Sequence, residues 1–110
     1  MTKISKELVG ATAVPIILSI LAEGESYGYQ IIQKVKELSK NQIVWKEGSL
    51  YPVLHKMESS GMIKSEWQIA ENGRPRKYYV IEEQGREVLV QEKENWKMVN
   101  KIFEFFWGEY

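Results

Sequence analysis

Apolar and polar positions follow two different periods along this chain, and the change of period divides it. Over residues 5–23, Leu8, Val9, Ala13, Ile16, Ile17, Ile20 and Leu21 approximate one helical stripe, which predicts a first helix, either continuous or kinked and restarted at Pro15. Gly24 ends it. Ser26 is the expected N-cap of a second helix over 27–39, with Ile31, Ile32, Val35 and Leu38 facing inward and Lys34 and Lys36 on other faces. Residues 40–46 form a short connection whose Ile43, Val44 and Trp45 are expected beneath a third helix.

That third helix lies within residues 47–63, EGSLYPVLHKMESSGMI. Leu50, Val53, Leu54 and Met57 make a buried stripe, leaving Tyr51, Pro52, His55, Lys56 and Ser59 on a polar, aromatic and basic side. Ser49 is expected as N-cap, Pro52 in the first turn where its missing donor costs nothing, and Gly61 as the C-terminal stop.

After Gly61 the period becomes two. Ile63, Ser65, Trp67 and Ile69 fall on one side of a predicted strand, and Lys64, Glu66 and Gln68 on the other. Glu71, Asn72 and Gly73 form a turn in which Asn-Gly supplies positive φ, and RKYYVI over 76–81 is the returning strand. Three helices followed by a hairpin give the winged-helix order. Residues 82–107 then read as one long amphipathic helix of roughly 35–40 Å. Along it Leu89, Trp96, Val99, Phe103 and Phe106 are spaced in threes and fours, Glu92 occupies one seam position, and Ile102 and Trp107 widen the apolar face. This stripe either folds back on residues 16–21 or pairs with the same helix of a second chain, and its length favours the pair. The expected class is mainly α with a small β component: a winged helix-turn-helix with a two-stranded wing over residues 1–81, and a C-terminal dimerisation helix over 82–110.

Composition narrows the chemistry. With 110 residues, 44% of them hydrophobic, the chain holds one core. It contains no cysteine and no aspartate, and His55 is its one histidine, so nucleophile–base pairs and metal clusters lack parts and the expectation is no enzyme, no metal and no cofactor. The apolar run at 8–22 contains Pro15, follows Glu7 and is shorter than the roughly 20 residues of a membrane span, which predicts a soluble cytoplasmic chain with no membrane partner. Net charge is zero, yet residues 27–81 carry nine Lys/Arg against five Glu, while 82–110 carry four against seven. A footprint on phosphate depends on the local patch, and here the middle is basic.

The candidate double-stranded DNA contacts follow from that placement. Ser49, Tyr51, Lys56 and the start of the third helix suit phosphate; His55 and Pro52 are placed to meet base edges or thymine methyls. Ser49 serves equally as a simple cap, Tyr51 as half-buried core, and Lys56 as a solvated lysine. Arg74, Arg76 and Lys77 sit at or next to the wing tip, where Pro75 holds the chain extended, and suit backbone or minor-groove contact. Tyr27 and Tyr29 open the second helix, reaching phosphate or packing under the wing. One of Tyr78 and Tyr79 belongs to the core, and Trp67 is expected to pack from wing to core rather than to stack on bases.

YGYQI (27–31), GSLYPVLHKME (48–58), GMI (61–63) and GRPRKYYVI (73–81) together resemble the PadR family of bacterial transcriptional regulators, over about residues 8–107. A single helix after the wing is similar to the smaller subfamily. The stretch from Asn95 to Val99 resembles its multidrug-responsive members, in which the C-terminal helices of a homodimer enclose a flat apolar pocket. The resemblance implies repression of a nearby operon, released by a planar or aromatic ligand, drug-like or phenolic. In that pocket Trp96 would stack on the ligand with Asn95 and Val99 beside it, and Glu92 would receive a cationic group. The alternatives are that Trp96 is dimer core and that Glu92 merely interrupts the seam. The expected dimer interface comprises Leu89, Trp96, Val99, Ile102, Phe103 and Phe106. The competing function is a winged helix used for protein association without sequence-specific DNA binding.

Overall fold

The computed structural model describes residues 4–108, so the outermost residues of the 1–81 and 82–110 division lie outside it. Helix α1 (Lys6–Ala22) begins where Ser5 Oγ accepts the Leu8 N–H at 3.3 Å, and it runs unbroken through Pro15. Ala13, Ile17, Leu18, Ile20 and Leu21 are buried along it. Strand β1 (Ser26–Tyr27), helix α2 (Gly28–Leu38), helix α3 (Glu47–Ser59), strands β2 (Ile63–Ile69) and β3 (Pro75–Ile81) and helix α4 (Glu83–Trp107) follow. The sheet order is β1-β3-β2, both pairings antiparallel, so the wing hairpin is extended by a third strand.

Several expectations change. Ser26 is not a cap: it lies fully buried in β1 opposite Tyr79, and its hydroxyl donates to Gln30 Oε1 at 2.7 Å. Leu38, expected inward, is 80% exposed because the last turn of α2 outruns the core. Val44 is exposed too, while Ile43 and Trp45 are buried as expected. Ser49 does not cap α3. The helix starts three residues earlier, with Lys46 as cap and its carbonyl accepting from both Ser49 and Leu50 N–H at 2.9 Å. Pro52 therefore falls in the second turn, and the carbonyl it cannot pair with, that of Gly48, sits on an exposed residue that water can reach.

The other end of α3 behaves as expected. Gly61 has φ +80°, the Met62 N–H bonds back to Met57 O at 3.1 Å, and the Gly61 N–H bonds to Glu58 O at 3.1 Å, a Schellman closure. Leu50, Leu54 and Met57 are buried against α1 and α2 with Val53 packed beside them, and Tyr51, Pro52, His55, Lys56 and Ser59 stay on the outside.

Helix α4 has two halves. Its start is docked on the α3–β2 turn: the Glu82 N–H donates to Met62 O at 2.9 Å and Gln84 Nε2 to Ser60 O at 3.0 Å. Leu89 belongs to the core, and Glu92, Trp96 and Val99 are half-buried. From Lys101 to Gly108 every residue is exposed, including Ile102, Phe103, Phe105, Phe106 and Trp107, with the Phe103 and Trp107 rings stacked at 4.5 Å and 3°. The first half thus folds back on α1, and the aromatic second half projects. Among the described residues no helix is long and apolar enough to cross a membrane, and no cluster of three His, Cys, Asp or Glu side chains could hold a metal ion.

Candidate nucleic-acid interface

The exposed side of α3 faces the inner side of the wing across a groove of about 540 Å³, lined by Tyr27, Gly28, Tyr29, Tyr51, Trp67, Pro75, Arg76, Lys77 and Tyr79. Strand register explains how the wing builds its wall. Ile63 pairs with Ile81, Ser65 with Tyr79, Trp67 with Lys77 and Ile69 with Pro75, so these share one face of the hairpin. Ile63, Ile81 and Tyr79 are buried in the core; the outer pairs continue past it and lie open. Ser65 Oγ donates to Glu58 Oε2 at 2.6 Å and Lys77 Nζ stands 4.0 Å from Glu58 Oε1, so one carboxylate of α3 ties both wing strands to the helix.

On the α2 side, Tyr27 is half-buried, edge-on to Tyr78 at 5.3 Å, with the Arg76 guanidinium 4.1 Å above its ring. Tyr29 is exposed. Tyr51 lies directly over Gly28: a Cβ there would meet its hydroxyl oxygen at 2.5 Å and its Cζ at 2.8 Å. Gly28→Ala should therefore push the exposed ring outward at a cost of no more than about 1 kcal/mol, read as a small change in Tm with the change in tyrosine environment seen by NMR. An unshifted Tyr51 ring in the variant would show that α2 yields instead.

Burial, and after it the Glu47 carboxylate, raises the Tyr51 phenol above its ordinary range. Tyr79 is raised by burial first, then by Tyr51 and Glu58. Both phenols are neutral at pH 7, and of the two only Tyr51, which is exposed, can offer its proton to a phosphate oxygen.

The predicted DNA residues separate into groups. Tyr27, Tyr29, Tyr51, Arg76 and Lys77 share the groove. Pro52, His55 and Lys56 are exposed on α3 outside its lining. Arg74 projects from the turn, where its N–H donates to Asn72 Oδ1 at 3.0 Å and Gly73 has φ +82°. Ser49 lies elsewhere, in a groove between α1 and the α2–α3 connection. Trp67 corrects the expectation of core packing: it is 68% exposed, because alternation assigns a face but the core ends before that face does. Gly28 and Glu58 also shape this site, and nothing local in the sequence marks them, since each acts on a residue brought near only by the fold.

A second groove, about 460 Å³, runs between α1, the end of α2 and α4, with Pro15, Ile16, Leu38, Leu89, Glu92 and Trp96 in its walls. Of the expected ligand residues it gathers Glu92 and Trp96. Asn95 is exposed outside it, accepting from Gln91 Nε2 at 3.1 Å, and Val99 lies beyond its lining.

Comparison with known proteins agrees with this architecture. A transcriptional regulator from Clostridium thermocellum superposes with a TM-score of 0.84 at 34% identity, covering 94% of this chain and 97% of the other. A PadR-like transcriptional regulator from Bacillus cereus gives a TM-score of 0.83 at 28% identity, over 96% and 100%. A transcriptional regulator of Mycobacterium tuberculosis is 34% identical over 77 residues, 70% of this chain and 68% of that one. The model of the transcriptional regulator PadR-like family matches residues 17–91, from the core of α1 through the wing into α4. With its winged fold, basic aromatic groove and these relatives, the chain belongs to the PadR-like family of transcriptional regulators and is a regulator rather than an enzyme.

Proposed function

We propose that the chain is a homodimeric, cytoplasmic repressor that reads a double-stranded operator with α3, grips it with the wing, and lets go when a planar aromatic molecule, drug-like or phenolic, binds against Trp96. One observation carries the DNA reading: α3's Tyr51, Tyr27 of β1, Tyr29 of α2 and the wing's Arg76 and Lys77 line one groove. Residues 1–81 act as the DNA-binding unit and 82–110 as the dimerisation helix. Dimerisation is supported by the projecting half of α4, whose Ile102, Phe103 and Phe106 are exposed and extend the stripe begun by Leu89, Trp96 and Val99. Because α4 starts on the α3–β2 turn through Glu82 and Gln84, a ligand that rotates α4 would also move α3 and the wing root.

Duplexes selected from a random-sequence pool test this. They should carry two-fold symmetric half-sites about one helical turn apart, and sedimentation should give a dimer on each. A weak shift independent of sequence at physiological salt would favour a protein-association module. For the ligand, titration with a planar aromatic dye should quench tryptophan fluorescence and weaken the selected complex, and Trp96→Ala should remove both effects. Equal dye affinity in Trp96→Ala would discard the stacking role.

A further inference from the structure

We propose that Trp67, backed by Ile69 and Pro75, is an apolar wedge that the wing inserts into the DNA minor groove, bending the operator. The inference rests on the DNA-binding reading above and adds a residue and a distortion to it. Trp67 and Ile69 are 68% and 73% exposed, and the pairing register places them, Pro75 and Lys77 on the face of the hairpin turned toward α3. Trp67, Ile69 and Pro75 are neighbours on this face and make a contiguous apolar patch, the kind of exposed surface that marks an interaction site.

Charge decides what the cover is. The wing over residues 63–81 carries Lys64, Arg74, Arg76 and Lys77 against Glu66 and Glu71. Glu66 and Lys64 belong to the opposite face by strand alternation and lie 3.9 Å apart, and Glu71 sits in the turn. The Trp67 face carries Lys77 directly across the strands, its ammonium 4.0 Å from Glu58, while Arg76, on the opposite face by register, reaches the same groove over the Tyr27 ring and Arg74 stands at the tip. Apolar surface bordered by cations matches the minor groove, where deoxyribose walls and base edges lie between two rows of phosphate. The groove of ordinary duplex is about 6 Å wide, too narrow for a strand edge carrying an indole, so entry requires it to open and the duplex to bend away toward the major groove. Pyrimidine–purine steps open most cheaply, which places a TA or CA step under each wing.

The test compares wild type, Trp67→Phe and Trp67→Ala on duplexes selected by the wild-type protein. Trp67→Ala should lose affinity roughly 10- to 100-fold, the range that aromatic contacts to bases command, and should reduce the bend measured by circular permutation. Its salt slope should be unchanged, since no phosphate contact is lost. Trp67→Phe should keep most of both affinity and bend. An unbent wild-type complex, or Trp67→Ala matching wild type in affinity and bend, overturns the wedge while leaving the repressor reading intact. Failure of the wild type to select any sequence overturns that reading instead. A change in oligomeric state of Trp67→Ala without DNA assigns the patch to self-association and also overturns the wedge.

Discussion

Gly85→Ala should destabilise the fold by about 2–3 kcal/mol and lower Tm by roughly 10–20 °C at fixed protein concentration. Gly85 is buried in the first turn of α4, where a Cβ would collide with Met62 O and stand 2.9 Å from Ile81 Cγ1. The obstacle is backbone and cannot rotate aside. Met62 O is also the acceptor for the Glu82 N–H at 2.9 Å, so a shift that relieves the clash loosens the bond that starts the helix. Alanine's helix propensity returns at most about 1 kcal/mol, less than the overpacking costs. Gly10→Ala is the control: it lies in α1 with nothing within 4 Å of the added methyl, and should be neutral or stabilising by up to about 1 kcal/mol. Equal Tm values for the two variants would mean that α4 slides on Met62 without penalty.

That close approach also bears on the proposed operator binding. The α3–β2 turn holds the end of α3, the root of the wing and the start of α4 within a few residues, Ser60 to Met62 on one side and Glu82 to Gly85 on the other. Gly85→Ala should therefore perturb operator binding even at temperatures where the domain stays folded, because α4 and the wing root cannot both keep their present positions.

Periodicity made most of the fold legible. Leu50, Leu54 and Met57 at helical spacing are buried where the pattern put them, and of Tyr78 and Tyr79, between which alternation does not choose, Tyr79 is the buried one. The misses share a physical origin: pattern gives orientation within an element but not how far its partner extends. Leu38 and Trp67 both lie on the correct face and past the end of the core. Ser26 and Tyr27 form a strand of two residues, too short to show a period, and their pairing to β3 is a long-range event. Of the candidate site, the cations and tyrosines were readable by type. Their assembly was not, because it depends on Gly28 making room for Tyr51 and on Glu58 joining Ser65 and Lys77.

Removing Arg74, Arg76 and Lys77 together should reduce operator affinity about 10²- to 10³-fold at 0.15 M salt and flatten the salt dependence by up to about five units for a dimer. Each cation that neutralises a phosphate releases about one counterion, and two protomers double the loss. The three do not contribute alike. Arg74 stands exposed at the turn and has no salt bridge among the described residues, so Arg74→Ala should weaken binding while leaving Tm unchanged. Arg76 lies over the Tyr27 ring at 4.1 Å, and its loss should also cost the fold about 0.5–1 kcal/mol. Lys77 shares itself with Glu58 at 4.0 Å in a half-exposed pair worth at most about 1 kcal/mol, weak enough for the ammonium to swing to phosphate. The decisive comparison is between selected and random duplexes. Because phosphate contacts carry no sequence information, the triple variant should lose similar factors on both, and its preference for the selected site should survive. Loss confined to the selected duplex would move sequence readout from α3 to the wing, whereas unchanged affinity on both would remove the wing from the interface.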